Sequence, residues 1–290
     1  KIMNKLTKIG VSALCGSLAS VAAANAGSLD VTGGATATYT SLDGVVTGNP
    51  LGMASAMTFT GNGELDNGST FSVTIAHNNK STYSSSAIAL TTPTLGTFTY
   101  DEGGGTGLDR IDDMMPTAWE EVDGTGLGVG LRTAAGAGGN ADIEWNVGVG
   151  LPDGMNAYIS FSPMPGGGQK NANKGTGGDT GAVTGPGYDV VLTHNALVDG
   201  LNVFAGLSEI DQTLGHGDRE EQTWGVTYAI GSFTVGYQET EIDNPGATGA
   251  TYDNDAYGIS FAVNDDLSIS FGNQESKTNV SGAATIDAQS

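Results

Sequence analysis

Basic residues are scarce: 10 Lys and Arg stand against 32 Asp and Glu in 290 residues, a formal net charge of −22. A chain this acidic repels nucleic acid and favours cations, so no nucleic-acid partner is expected. Cysteine is nearly absent, and the single Cys15 falls in a segment that is expected to be removed, leaving neither disulfides nor thiolate chemistry. Proline numbers only 8, and the 47 glycines show no G-X-Y period, which excludes a collagen-like triple helix. Charge is low altogether, at 14% of residues against about 25% in an ordinary soluble domain. Gly, Thr, Ser, Asn and Ala fill the space. Glycine inside a helix costs about 1 kcal/mol, and Thr, Ser and Asn also rank low. A helical bundle or a doubly wound α/β enzyme is therefore excluded on composition.

The first 26 residues read as a secretory signal peptide. Lys1, Lys5 and Lys8 precede the uncharged stretch 9–24, and Ala24-Asn25-Ala26 supplies a small-x-small cleavage pattern before Gly27. The stretch is too short and too rich in Ser and Gly for a membrane-spanning helix, which needs about 20 predominantly apolar residues. Met3 is the expected initiator. Without this segment, seven basic residues (Lys80, Arg110, Arg132, Lys170, Lys174, Arg219, Lys277) face all 32 acidic ones, a net charge of −25.

Beyond Gly27 the apolar residues recur with a period of two, the mark of a strand with two unlike faces. Phe71, Val73 and Ile75 alternate with Thr70, Ser72 and Thr74; Trp224, Val226, Tyr228 and Ile230 alternate with Thr223, Gly225 and Thr227. Some 13 strands follow: 28–41, 52–63, 69–78, 85–92, 95–101, 141–150, 155–163, 188–196, 201–209, 222–230, 233–241, 255–263 and 266–274, with the glycine-rich 128–134 as a further candidate. Turn signals such as Asp66-Asn67-Gly68 and Pro152-Asp153-Gly154 join strands at one end. Longer polar loops, 42–50, 101–127, 164–187, 211–221 and 243–254, join them at the other. That layout predicts an all-β fold, a transmembrane antiparallel β-barrel. A soluble β-sandwich alternates as well, but the apolar faces here rest on Ala, Gly and single aromatics, a thin supply for a sandwich core. In lipid such a face suffices, because the bilayer solvates it. Tyr39, Phe59, Phe71, Tyr100, Phe161, Tyr188, Tyr237, Tyr257 and Phe271 stand near strand ends, as an interfacial girdle requires.

The segments SLDVTGGATATYTS (28–41), MASAMTFTGNGELDNGSTFSVTIAHN (53–78), SSAIALTTPTLGTFTYDEGGG (85–105) and TGLDRIDDMMPTAWEEV (106–122) carry a family resemblance. The chain resembles the general-diffusion porins of Gram-negative bacteria, trimeric outer-membrane barrels of 16 strands. The resemblance implies one porin domain over 27–290 and passive diffusion of ions and small hydrophilic solutes through a water-filled channel. It further implies a homotrimer, contact with outer-membrane lipid and lipopolysaccharide, and insertion by the outer-membrane assembly machinery. In the family the third long loop folds into the barrel and narrows the pore; its counterpart here is 101–127. Two departures stand out. The chain closes on Ala283-Ala284-Thr285-Ile286-Asp287-Ala288-Gln289-Ser290 with no terminal aromatic, and its 13–14 strands fall short of 16. A truncated C-terminus is the expectation, with a smaller 14-stranded barrel as the alternative. Second, no Lys or Arg lies between Gly27 and Asn79, where the family draws most of the basic half of its constriction.

The constriction residues expected are therefore Asp109, Arg110, Asp112, Asp113, Glu120, Glu121 and Arg132. Carboxylates crowded into a neck draw cations and repel anions. Arg110 is expected to pair with Asp112 or Asp113, and Pro116 and Trp119 to stiffen the loop and press it against the wall. No resident cofactor is expected, although Asp112, Asp113, Glu120 and Glu121 also suit oxygen ligation of Ca²⁺. A secreted or surface-attached acidic β-protein binding Ca²⁺, in adhesion or a surface layer, is the competing reading. Catalysis is not expected: His77, His194 and His216 stand alone, and neither G-x-S-x-G, H-E-x-x-H nor a phosphate-binding loop occurs.

Overall fold

The computed structural model describes residues 28–39, 51–78, 85–101, 104–118, 133–138, 142–163, 165, 184–212, 217–243, 249–264, 267–280 and 286–289. The expected signal peptide, Trp119, Glu120, Glu121 and Arg132 lie outside the described residues. The chain divides into two compact units, 1–94 and 95–290.

The first unit is an antiparallel meander of β1 (Ser28–Tyr39), β2 (Leu51–Glu64), β3 (Thr70–Asn78) and β4 (Ser85–Thr92). Its β2–β3 hairpin closes at the expected Asp66-Asn67-Gly68 turn, where Gly68 N donates to Leu65 O (2.9 Å) and Ser69 N to Asn67 Oδ1 (3.0 Å). One face carries Val31, Met57, Phe59, Val73, Ile75 and Ile88, all exposed.

The second unit is a longer meander: β5 (Gly96–Asp101), β6 (Asp142–Asn146), β7 (Met155–Ser162), β8 (Thr184–His194), β9 (Leu201–Gln212), β10 (Arg219–Ile230), β11 (Phe233–Asp243), β12 (Ala250–Asn264), β13 (Leu267–Val280) and β14 (Ile286–Gln289). Each pairs antiparallel with the next. A short 3-10 helix, Gly107–Ile111, stands between β5 and β6.

The two faces of this sheet are inverted relative to a soluble protein. Ile143, Ile159, Phe161, Tyr188, Leu192, Trp224, Phe233, Ile259 and Phe271 project from one face and are exposed. Asp189, Ser208, Glu221, Thr223, Gln238 and Asn254 occupy the other and are buried. Aromatic residues mark both edges of the apolar face. Tyr100, Ile143, Phe161 and Tyr188 are successive register partners across β5–β8. At the hairpin end Phe233 stacks on Phe261, centroids 4.4 Å apart.

Several strand limits differ from the sequence expectation. β8 begins at Thr184, β9 runs to Gln212, β12 starts at Ala250 and β13 continues to Val280, so the loops 164–187, 211–221 and 243–254 are shorter than expected. β14 is a strand where none was foreseen. The extensions are largely polar on both faces: Asp253 pairs in register with Lys277, and Thr251 with Asn279. The hydrogen-bond ladder outlasts the apolar alternation that marks a strand in sequence. Of the glycine-rich candidate 128–134, residues 133–134 are irregular, and the rest lies outside the described residues.

Candidate functional site

The polar face of β6–β10 is roofed by the chain between β5 and β6. Leu108 and Ile111, on the 3-10 helix, are completely buried and cluster with Ala134, Val191 of β8 and Phe204 of β9; Met114, Met115 and Tyr158 pack around them. Leu108 fits because Gly206 stands beneath it, where a Cβ would come within 2.6 Å of the leucine Cδ1. Farther along, Pro116 lies on Gly236 and Gly258, whose absent side chains leave room for it. Pro116 thus meets the wall as expected.

Beneath this roof runs a row of polar side chains. Glu144 of β6, Ser160 of β7, Asp189 of β8, Ser208 of β9 and Glu221 of β10 are successive register partners, and all five are buried. Their carboxylates accept backbone N–H groups of the loop. Glu144 Oε2 accepts Gly107 N (2.8 Å), and Glu221 Oε2 accepts Ala135 N (2.9 Å) and Gly136 N (2.7 Å). Asp189 accepts Leu108 N and Gly138 N at Oδ2 (both 2.8 Å) and Ala137 N at Oδ1 (2.9 Å). On β11, Gln238 Nε2 donates to Ile111 O (2.8 Å) and Asp112 O (2.9 Å), while its Oε1 accepts Met114 N (3.1 Å). Burying these acceptors without donors would cost several kcal/mol each. The loop supplies donors to Glu144 Oε2, Asp189 and Glu221 Oε2, while Ser208 Oγ in the same row has no hydrogen-bond partner among the described residues.

The expected constriction residues divide in two. Asp109, Asp112 and Asp113 lie on or just after the 3-10 helix, away from the wall carboxylates' direct hydrogen bonds; Asp109 Oδ2 accepts Gly105 N at 2.6 Å. Burial lifts Asp109 above the usual carboxylate range, with Asp113 and Asp189 adding to the effect and the Gly105 N–H opposing it. Burial, followed by the charges of Asp113 and Asp109, raises Asp112 to about 8. Arg110 behaves differently from expectation. It pairs with neither Asp112 nor Asp113: its Nη2 donates to Glu144 Oε1 at 2.5 Å, and its guanidinium lies 4.1 Å from the Tyr158 ring centroid. The buried Glu144 is the stronger partner because it lacks water, whereas Asp113 is exposed. Glu120, Glu121 and Arg132 lie outside the described residues, so the Ca²⁺ set is only half described. Among the described residues no group of three or more His, Cys, Asp or Glu is placed to hold a metal ion.

Sequence reasoning missed the wall carboxylates. Asp189 offered the clearest signal, a lone charge inside the otherwise apolar run from Tyr188 to Leu192.

The exposed apolar face with aromatic edges, and the polar face roofed by a loop, are those of a membrane barrel that meets lipid outside and water inside. The profile of the Gram-negative porin family matches residues 10–289, and the chain belongs to that family. Solved structures agree in fold. Salmonella typhi OmpF in complex with daunomycin is 16% identical, with a TM-score of 0.59 over 89% of this chain and 82% of that one. Outer-membrane expressed OmpT of Vibrio cholerae is 11% identical, with a TM-score of 0.60 over 91% and 80%. An anion-selective porin from Comamonas acidovorans is 16% identical, with a TM-score of 0.56 over 87% and 80%. Comparison with curated proteins found no match. The protein is an outer-membrane β-barrel of a Gram-negative bacterium and a diffusion channel; family and fold are non-enzymatic.

Proposed function

We propose that the channel passes small hydrophilic solutes and ions with a preference for cations, and that the loop 101–127 is its constriction. The observation that carries this reading is the state of the positive charges. Among the described residues there are three basic side chains, and each is paired with a carboxylate: Arg110 with Glu144, Arg219 with Glu221, and Lys277 with Glu275 (3.3 Å). Asp109, Asp112 and Asp113 have no such basic partner among the described residues. A neck whose acids carry no paired cation concentrates cations and excludes anions, the more so above the pH at which Asp112 ionises. In this reading Glu120 and Glu121 add to the negative field, and Arg132 is the remaining basic contributor. The homotrimer, the signal peptide 1–26, the contact with lipopolysaccharide and delivery by the assembly machinery belong to the same proposal, supported by family membership. The acidic surface-protein alternative has no comparable support, since the apolar face of the sheet is exposed and needs lipid.

Planar-bilayer recording of the mature protein under a KCl gradient tests the reading. Discrete conductance steps with a reversal potential on the cation side are expected. Neutralising Asp112, Asp113, Glu120 and Glu121 together should move that potential toward zero. A reversal potential on the anion side, or one indifferent to the four substitutions, would sink the cation preference.

A further inference from the structure

Two arms of chain roof the polar face, 104–118 and 133–138, and both give up backbone N–H groups to the wall. Glu144 serves the first arm and Glu221 the second. Asp189 serves both, taking Leu108 N from the first and Ala137 N and Gly138 N from the second. It is fully buried.

The backbone around it is shaped to one carboxylate. Gly107 (φ +53°) and Gly136 (φ +62°) both adopt the left-handed conformation that favours glycine. A Cβ on either would strike Asp189 Oδ2, at 2.6 Å in the case of Gly136. Left-handed turns of this kind point successive N–H groups into one concavity, a backbone cradle for an anion. Here the anion is a side chain of the wall. Hydrogen bonds to a charged acceptor are roughly twice as strong as neutral ones, and these three are shielded from water.

We infer that Asp189 is the positioning residue of the constriction: it clasps 104–118, the outgoing arm of the connection between β5 and β6, to 133–138, the returning arm that follows the 101–127 stretch, and thereby fixes the aperture. This inference rests on the constriction reading above. Asp189 meets the loop through backbone donors and lies fully buried beneath it, so it governs how far the loop stands from the wall, while Asp109, Asp112 and Asp113 govern the sign of the selectivity.

The test uses the mature channel with Asp189→Ala, Asp189→Asn and Gly136→Ala. Four quantities are read: single-channel conductance, open-channel noise, uptake of graded sugars by liposomes, and reversal potential. Loss of the clasp leaves three N–H groups without acceptors and multiplies the unseated fraction of the loop by about tenfold or more. In Asp189→Ala, open-channel noise should rise and the largest sugars should enter several-fold faster, with the sign of the reversal potential kept. Asp189→Asn, which retains one acceptor oxygen, should fall between, and Gly136→Ala should resemble Asp189→Ala.

Folded variants with wild-type noise and sugar cut-off would overturn the clasp. So would failure of all three to fold, since the carboxylate would then serve assembly rather than aperture. If the wild-type protein itself conducts nothing, the channel reading fails separately. Hydrogen exchange then decides the clasp: the Leu108, Ala137 and Gly138 amides should lose protection in Asp189→Ala, and unchanged protection would refute it.

Discussion

Arg110 of the 3-10 helix is held by Glu144 of β6, 34 residues farther along the chain, with Nη2 donating to Oε1 at 2.5 Å. Glu144 is buried in the wall, so the pair takes the loop's described cation out of the field that its own acids create.

Breaking this pair from the wall side should alter selectivity. In Glu144→Gln the guanidinium loses its charged partner and the field at the neck becomes less negative. The cation-to-anion permeability ratio, read from the reversal potential, should fall. An unchanged ratio would mean that Arg110 does not act on the permeating ions.

Selectivity should also depend on pH near neutrality. Asp112 is raised to about 8, first by burial and then by Asp113 and Asp109, so it is largely protonated below that pH and charged above it. Cation preference is therefore expected to strengthen as pH rises from about 6 to about 9 and to weaken on return. Asp112→Asn should flatten that step, and a step that persists in the variant would assign it to another group.

Gln238 holds the loop through Ile111 O, Asp112 O and Met114 N. Replacing it with Leu keeps the bulk and removes all three hydrogen bonds. A local cost of about 1–3 kcal/mol is expected, because buried polar groups are left unsatisfied. Faster hydrogen exchange at the Met114 amide, with the strands unaffected, is the measurement that checks it.

Gly236 and Gly258 leave the space that Pro116 occupies. Gly236→Val should push Pro116 off the wall, at about 1–3 kcal/mol for overpacking. Conductance should change while the sheet still forms, as read by circular dichroism. Wild-type conductance in a folded Gly236→Val protein would show that the loop around Pro116 does not bound the pore.

Ile259 lies between Tyr257 and Phe261 on the exposed apolar face of β12. Ile259→Arg should destabilise the folded barrel in lipid by about 2–4 kcal/mol if it sits at the bilayer midplane. Urea titration in liposomes provides the value, and no loss of stability would mean that this face does not meet hydrocarbon.

The strands were legible where one face is apolar, as at Phe71, Val73 and Ile75 of β3. They were illegible at 250–254 and 275–280, where the ladder continues through residues largely polar on both faces. The acidic loop was legible as charge. Its seat was not, because Glu144, Asp189 and Glu221 meet only through the accumulated register of β6–β10. No local spacing encodes that level. The partner of Arg110 escaped for the same reason, since adjacent acids look closer in sequence than one on a neighbouring strand.

The wall grips the loop through main-chain amides, through Arg110 on Glu144, and through Leu108, Ile111 and Pro116 packed on the sheet, and none of these holds uses the side chains of Asp109, Asp112 or Asp113. Substitutions at Asp109, Asp112 or Asp113 can therefore retune what the channel admits while the loop keeps its seat. Mounting and discrimination are separable, so new permeability can arise by point mutation without rebuilding the barrel.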